Sequence, residues 1–194
     1  MRILCALFPL LLVAVSGCSS TQNNVQKTIH SAQLGATKNV HRLGDNWFAG
    51  QPDAQGLKEA KAAGVRTVLN LRTPQEQKGG VEERQVALIG MEYINIPFGS
   101  IAALTDEVFE RTRFVLSSVE HRPILLHCKS ANRVGAIWYA HRVLDDHISR
   151  DVAMAEAKMI GLRSKGLIKR AQEYVGQMQA SNASFAKPED DGQK

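Results

Sequence analysis

"PILLHCKSANRVGA", Pro123 to Ala136, is the stretch on which the reading of this chain turns. Ile124 to Leu126 form a short, wholly apolar run of the kind buried on both faces of a parallel sheet. His127 and Cys128 follow, then the polar Lys129 to Asn132, and beyond Arg133 "VGAIWYAHRVLDD" reads as a helix. A strand that turns at once into a helix puts the turn beyond the strand's carboxyl end, where ligands sit on α/β sheets. Successive N–H groups in such a turn can converge on an anion. The helix start adds further unpaired N–H groups and positive potential. Such a nest favours the thiolate form of Cys128, and Arg133 offers a planar fork to a tetrahedral oxyanion. Nucleophile and cradle in one loop suit attack on phosphorus or sulfur transfer. His127 is read as hydrogen-bonded to backbone, steadying the loop, and not as a base.

Outward from this loop the pattern alternates. "NVHRL" and "NWFAGQ" read as short strands, and Asp53 caps a helix through "AQGLKEAKAAG" that stops at Gly64. "VRTVLNL" is a β-branched run. Gly79 and Gly80 precede the helix "VEERQVALIG", and "MEYINI" is a strand stopped by Pro97. Thr105 opens "DEVFERTRFVLSSV", whose Val108, Phe109, Phe114, Val115 and Val119 are assigned to one buried face. Ser149 caps a further helix, and the last helix covers Lys165 to Gln179. The alternation predicts an α/β fold, a central, mostly parallel sheet flanked by helices. Trp138 and Tyr139 are expected to pack in the helix, and Arg72 to be solvated. His141 and His147 stand at no metal-ligand spacing.

The chain begins "MRILCALFPLLLVAVSGCSS". Arg2, the apolar Ile3 to Val15 and the small Ser16 and Gly17 have the layout of a secretory signal, residues 1–17, too short for a membrane span. "VSGC" resembles the bacterial lipoprotein processing box. That resemblance implies acylation of Cys18 and, with Ser19 following, attachment at the periplasmic face of the outer membrane, so that the chain's membrane partner is reached through N-terminal lipid. Of three cysteines, Cys5 then leaves with the signal and Cys18 carries lipid, so Cys128 has no partner for a disulfide. Residues 18–37 are polar and read as a tether, and residues 181–194 as a flexible tail. The net charge of +5 becomes +4 once Arg2 is removed, which suits anionic substrates or a phospholipid surface. Basic residues are dispersed and aromatics few, so nucleic acid is not expected as a partner.

"HCKSANRVGA" resembles the signature of the cysteine-dependent tyrosine and dual-specificity phosphatases. "FAGQPDAQGLKEAKAAGVRTVLNLR" is similar to the same superfamily, and especially to compact bacterial phosphatase-like domains of the beta-lactamase-hydrolase-like group. The resemblance covers about residues 38–175, within a phosphatase-like domain set at 38–180. It implies a dual-specificity-phosphatase-like fold, no metal or other cofactor, and a phosphocysteine intermediate on a phosphorylated substrate of unspecified class. By this resemblance Cys128 is the nucleophile and Arg133 binds phosphate, with Lys129, Ser130, Ala131, Asn132 and Val134 supplying the backbone cradle.

Three departures qualify it. The loop from Cys128 to Arg133 is one residue shorter than the usual phosphatase loop and resembles that of rhodanese-type sulfurtransferases, so sulfur transfer on Cys128 is an alternative. Ala131 stands where glycine is common, and Asn132 is expected to take any left-handed strain. The loop "PFGSIAAL", where the family carries its general acid, has no carboxyl group; Asp106 is the nearest candidate, with charge at a helix N-terminus as its other role. The expected activity is phosphate monoester hydrolysis. A catalytically weak phosphoanion-binding module is the reading of a different class.

Overall fold

The computed structural model describes residues 28–77 and 79–185. Six strands, β1 (His30–Ser31), β2 (His41–Leu43), β3 (Asn46–Ala49), β4 (Thr67–Asn70), β5 (Glu92–Asn95) and β6 (Ile124–His127), form one sheet in the order β1-β2-β3-β6-β4-β5. β3, β6, β4 and β5 run parallel, while β1 and β2 add antiparallel at the β3 edge. β6 lies between β3 and β4 and every residue in it is buried, which is why its sequence is a continuous apolar run without alternation.

The helices α1 (Ala54–Ala62), α2 (Val81–Leu88), α3 (Asp106–Ser117), α4 (Asn132–Leu144), α5 (Arg150–Ile160) and α6 (Lys165–Phe185) divide between the two faces. Leu57, Ala60 and Val86 of α1 and α2 pack with Trp47, Val68 and Leu125 on one face. On the other, Phe48, Leu69 and Leu126 meet α3 to α6 around Trp138. Trp138 and Tyr139 are fully packed, as expected. Side chains that alternate across the sheet thus feed two separate cores.

Local signals set the helix starts. Asp53 accepts from the Gly56 amide at 2.6 Å, Thr105 from Val108 at 3.4 Å and Ser149 from Val152 at 3.4 Å, each satisfying one unpaired first-turn donor. The expected face of α3 is corrected. Phe109, Thr112, Val115 and Leu116 are buried, whereas Phe114 is 68% and Val119 77% exposed. Phe114 follows Phe109 by five residues and so points well away from it at 3.6 residues per turn, and Val119 lies beyond the helix in a 3-10 turn. The polar tether also ends sooner than expected: Ile29 and Leu34 are buried and His30–Ser31 pairs with β2. α6 runs on to Phe185, past the expected Gln179 and into the segment read as a tail. The signal, Cys18 and residues 186–194 lie outside the described residues. Among the described residues no helix is long and apolar enough to cross a membrane.

Candidate active site

Four parallel strands end in register. Ala49, His127, Asn70 and Asn95 form one row across the sheet, so the residues just beyond them gather at one edge. Cys128 follows β6, Gln51 lies beyond β3, Arg72 beyond β4 and Phe98 beyond β5. Cys128, only 1% exposed, lies at a cavity of about 320 Å³ lined also by Lys129, Ser130, Asn132, Arg133, Phe98 and Glu76. Gly99, Ser100, Ile101, Ser164 and Leu167 complete its lining.

The loop is built around Ala131, whose φ of 63° and ψ of 0° are left-handed. The strain expected at Asn132 falls on Ala131 instead; Asn132 is already the first residue of α4. The loop's carbonyls are turned to other partners: that of Lys129 accepts from the Gln51 amide at 3.2 Å, and that of Ser130 from Asn39 Nδ2 at 3.2 Å. Among the described residues the amides of Lys129, Ser130, Asn132 and Arg133 donate to no backbone carbonyl, the condition for an anion nest. Ala131 and Val134 are buried beneath the loop and do not line the cavity.

Arg133 is fixed by a carboxylate that sequence reasoning missed. Its Nη1 donates to Glu76 Oε2 at 2.8 Å and to the carbonyls of Phe98 at 2.7 Å and Leu71 at 3.1 Å, while Nη2 donates to Glu76 Oε1 at 2.7 Å. This is a two-point grip that sets the plane of the fork. The bonds from Arg133 hold the Glu76 carboxyl down at about 2, burial opposing them and the Thr73 amide assisting. Burial opposes the charge of Arg133, but Glu76 and then Cys128 raise its pKa above the ordinary arginine value. Glu76 ends the 3-10 turn Pro74–Glu76 and also bonds back to Thr73. The spacing "TPQE", a Ser/Thr followed three residues later by Glu, is the one signal that points to this turn.

Beneath the loop lies a second polar network. His127 is wholly buried, and it does not bond backbone as expected: its Nε2 lies 2.9 Å from Glu82 Oε1 of α2, out of line for a full hydrogen bond. Glu82 accepts from Asn70 Nδ2 at 2.9 Å and from Gln51 Nε2. Burial pushes the Glu82 carboxyl up, yet contact with His127 and Gln51 and the charge of Arg72 bring it below its usual range. Arg72 is not solvated. Its side chain is 16% exposed and donates to Gln51 Oε1 and the Glu76 carbonyl. Burial, above all, lifts the Tyr93 hydroxyl, which accepts from Asn70, to about 12. Polar contacts therefore run from Arg133 through Glu76, whose backbone carbonyl takes Arg72, and on through Gln51 to Glu82, which His127 touches.

Asp106 is placed apart. It is the first residue of α3, is bonded to Arg170 Nη2, and borders a different depression with Leu104 and Glu107. It does not line the Cys128 cavity. Among the described residues lining that cavity Glu76 is the one carboxylate. His141 is buried against Asp145, with Nδ1 3.0 Å from Oδ2, and belongs to the packing of α4.

Solved structures of the same shape include a DUF442 protein from Shewanella putrefaciens CN-32, 20% identical with TM-score 0.63, covering 74% of this chain and 95% of that one. TpbA from P. aeruginosa in complex with pTyr is 16% identical with TM-score 0.60, over 85% and 99%. The core catalytic domain of the PP-IP phosphatase SIW14 from S. cerevisiae in complex with citrate is 15% identical with TM-score 0.58, over 76% and 94%. At these identities the likeness is one of fold, and it matches the mixed sheet flanked by helices. No curated protein matches the chain. A family model, "DSP-PTPase phosphatase fused to NAD+ Kinase", matches residues 20–179. With most of its length inside that match, the chain belongs to this family of dual-specificity-type phosphatase domains.

Proposed function

We propose that the chain hydrolyses phosphate monoesters through a cysteinyl-phosphate intermediate on Cys128. The observation that carries this is the shared cavity, in which a buried cysteine, a set of unpaired loop amides and an arginine aimed by Glu76 converge. The Cys128 thiolate attacks phosphorus as the ester P–O bond breaks, and the leaving oxygen takes the bonding electrons. Water then attacks the cysteinyl phosphate, the S–P bond breaks with its electrons returning to sulfur, and phosphate departs with the water oxygen and one of its protons, the other proton passing to solvent. Arg133 and the loop amides stabilise charge on the equatorial oxygens throughout. Family membership favours phosphorus over sulfur as the group transferred.

Among the described residues no protonated carboxyl lines the cavity to serve the leaving oxygen. Glu76, at about 2, is ionised at neutral pH, and Asp106 borders another depression. Esters whose leaving group departs as an anion are therefore the favoured substrates, aryl phosphates ahead of alkyl ones. The pTyr bound by TpbA is an ester of that kind.

The same lack of a carboxylic acid supports the binding-module reading, and one experiment separates the two. Wild type should turn over an aryl phosphate, Cys128→Ser should lose turnover while still binding vanadate or phosphate, and Arg133→Lys, which keeps the charge but not the fork, should fall sharply in rate. Vanadate binding without turnover by wild type would establish the module instead. Equal hydrolysis by the serine variant would remove Cys128 from the mechanism. We propose further, from "VSGC" alone, that Cys18 is acylated and holds the domain at the periplasmic face of the outer membrane.

A further inference from the structure

We infer that Arg163, with Lys129, forms a second anion subsite beside the phosphate cradle, so that favoured substrates carry another phosphate or carboxylate next to the scissile phosphate. This rests on the phosphatase reading of the Cys128 cavity and specifies its substrate class.

The turn between α5 and α6 is fastened to the loop. Asn132 Oδ1 accepts from the amides of Arg163 at 2.8 Å and Ser164 at 3.2 Å. Gly161, at φ 138°, lets the turn come close, since a Cβ there would lie 3.2 Å from the Ala131 Cβ. The Arg163 side chain is oriented by two bonds, Nη2 to Ser130 Oγ at 3.0 Å and Nη1 to the Gly161 carbonyl at 3.2 Å. It is thus bonded to Ser130 and precedes Ser164, both of which line the cavity, while Arg163 itself lies just outside that lining. Two of its five N–H groups are engaged, leaving the rest for a ligand.

Charge distinguishes this residue from the other arginines around the site. Arg133 is compensated by Glu76 and Arg170 by Asp106. Among the described residues neither Arg163 nor Lys129 is within ion-pair distance of a carboxylate. Lys129 lines the cavity and is exposed, as Arg163 is. Ser164 and Leu167, at the start of α6, line the cavity together with Asn132 and Arg133 at the start of α4, so the positive ends of two helices border one cavity. An anionic group beyond the scissile phosphate meets an uncompensated, pre-oriented guanidinium whose ordering cost is already met in the free protein.

The test is binding to the Cys128→Ser protein, which separates recognition from turnover. Inorganic phosphate, pyrophosphate and tripolyphosphate are titrated calorimetrically into this protein and into its Arg163→Gln and Arg163→Lys derivatives. Glutamine keeps a donor for Ser130 and removes the charge. The condensed phosphates should bind at least about tenfold more tightly than phosphate, as expected for one added charge-assisted contact. That ratio should collapse in Arg163→Gln and persist in part in Arg163→Lys. A ratio near one in the parent protein, or one unchanged by Arg163→Gln, overturns the subsite while leaving the cradle intact. Failure of phosphate itself to bind would overturn the cradle, and the subsite with it.

Discussion

Glu76 stands between two guanidinium groups, bonded to Arg133 at 2.7 and 2.8 Å and 3.9 Å from Arg72 Nε. Its carboxyl is held at about 2 against an ordinary 4.5. A depressed carboxyl stabilises the fold fully above its unfolded value and loses that contribution as pH falls through its folded one. The stability difference between wild type and Glu76→Gln should therefore be full above about pH 5 and shrink steadily as pH falls toward 2. Denaturant titrations across that range check it, and a pH-independent difference would deny the ion pair its role. The same variant should cut kcat/KM on an aryl phosphate by about tenfold or more, because the fork loses its aim. Asp106, bonded outward to Arg170, belongs to a separate prediction. Across aryl and alkyl phosphates of rising leaving-group pKa the wild-type rate should fall steeply, and Asp106→Asn should leave the slope unchanged. A shallow wild-type series made steep by Asp106→Asn would restore Asp106 as the acid.

At the scale of elements, Gly135 sets how closely α4 can approach the end of α5. A Cβ there would lie 2.6 Å from the Ala157 carbonyl oxygen and 2.7 Å from Leu162 Cβ. Gly135→Ala should destabilise by about 1–3 kcal/mol despite alanine's better helix propensity. Thermal unfolding would read this as a fall in Tm; a rise would mean that the backbone yields freely. The same scale explains what was legible in the sequence. β6, the loop and α4 were readable because nucleophile, cradle and arginine are contiguous, and the caps Asp53, Thr105 and Ser149 act within three residues. Glu76, Gln51 and Glu82 come from three separate segments, and only the register of parallel strands gathers them. The face of α3 is not legible from apolar residue type, which places Phe114 with Phe109, whereas helical phase separates them. Residue type favours Asn132 over Ala131 for the left-handed position, but Asn132 is committed to the helix and to the α5–α6 turn.

For the whole molecule, the proposed attachment through Cys18 gives its own prediction. Cys18→Ser should shift the protein from the membrane fraction to a soluble or unprocessed form. A correctly cleaved serine variant that still requires detergent for extraction would count against acylation.

Ile29 and Leu34 are already packed into the cores and His30 begins β1, so only residues 19–28 separate Cys18 from the folded body. Even at full extension ten residues span at most about 35 Å. With Cys18 acylated as proposed, the domain would be held within that distance of the bilayer. The proposed catalytic mouth would then sample only a thin shell of solvent along the bilayer, within reach of phosphorylated groups on lipids or on membrane-attached proteins.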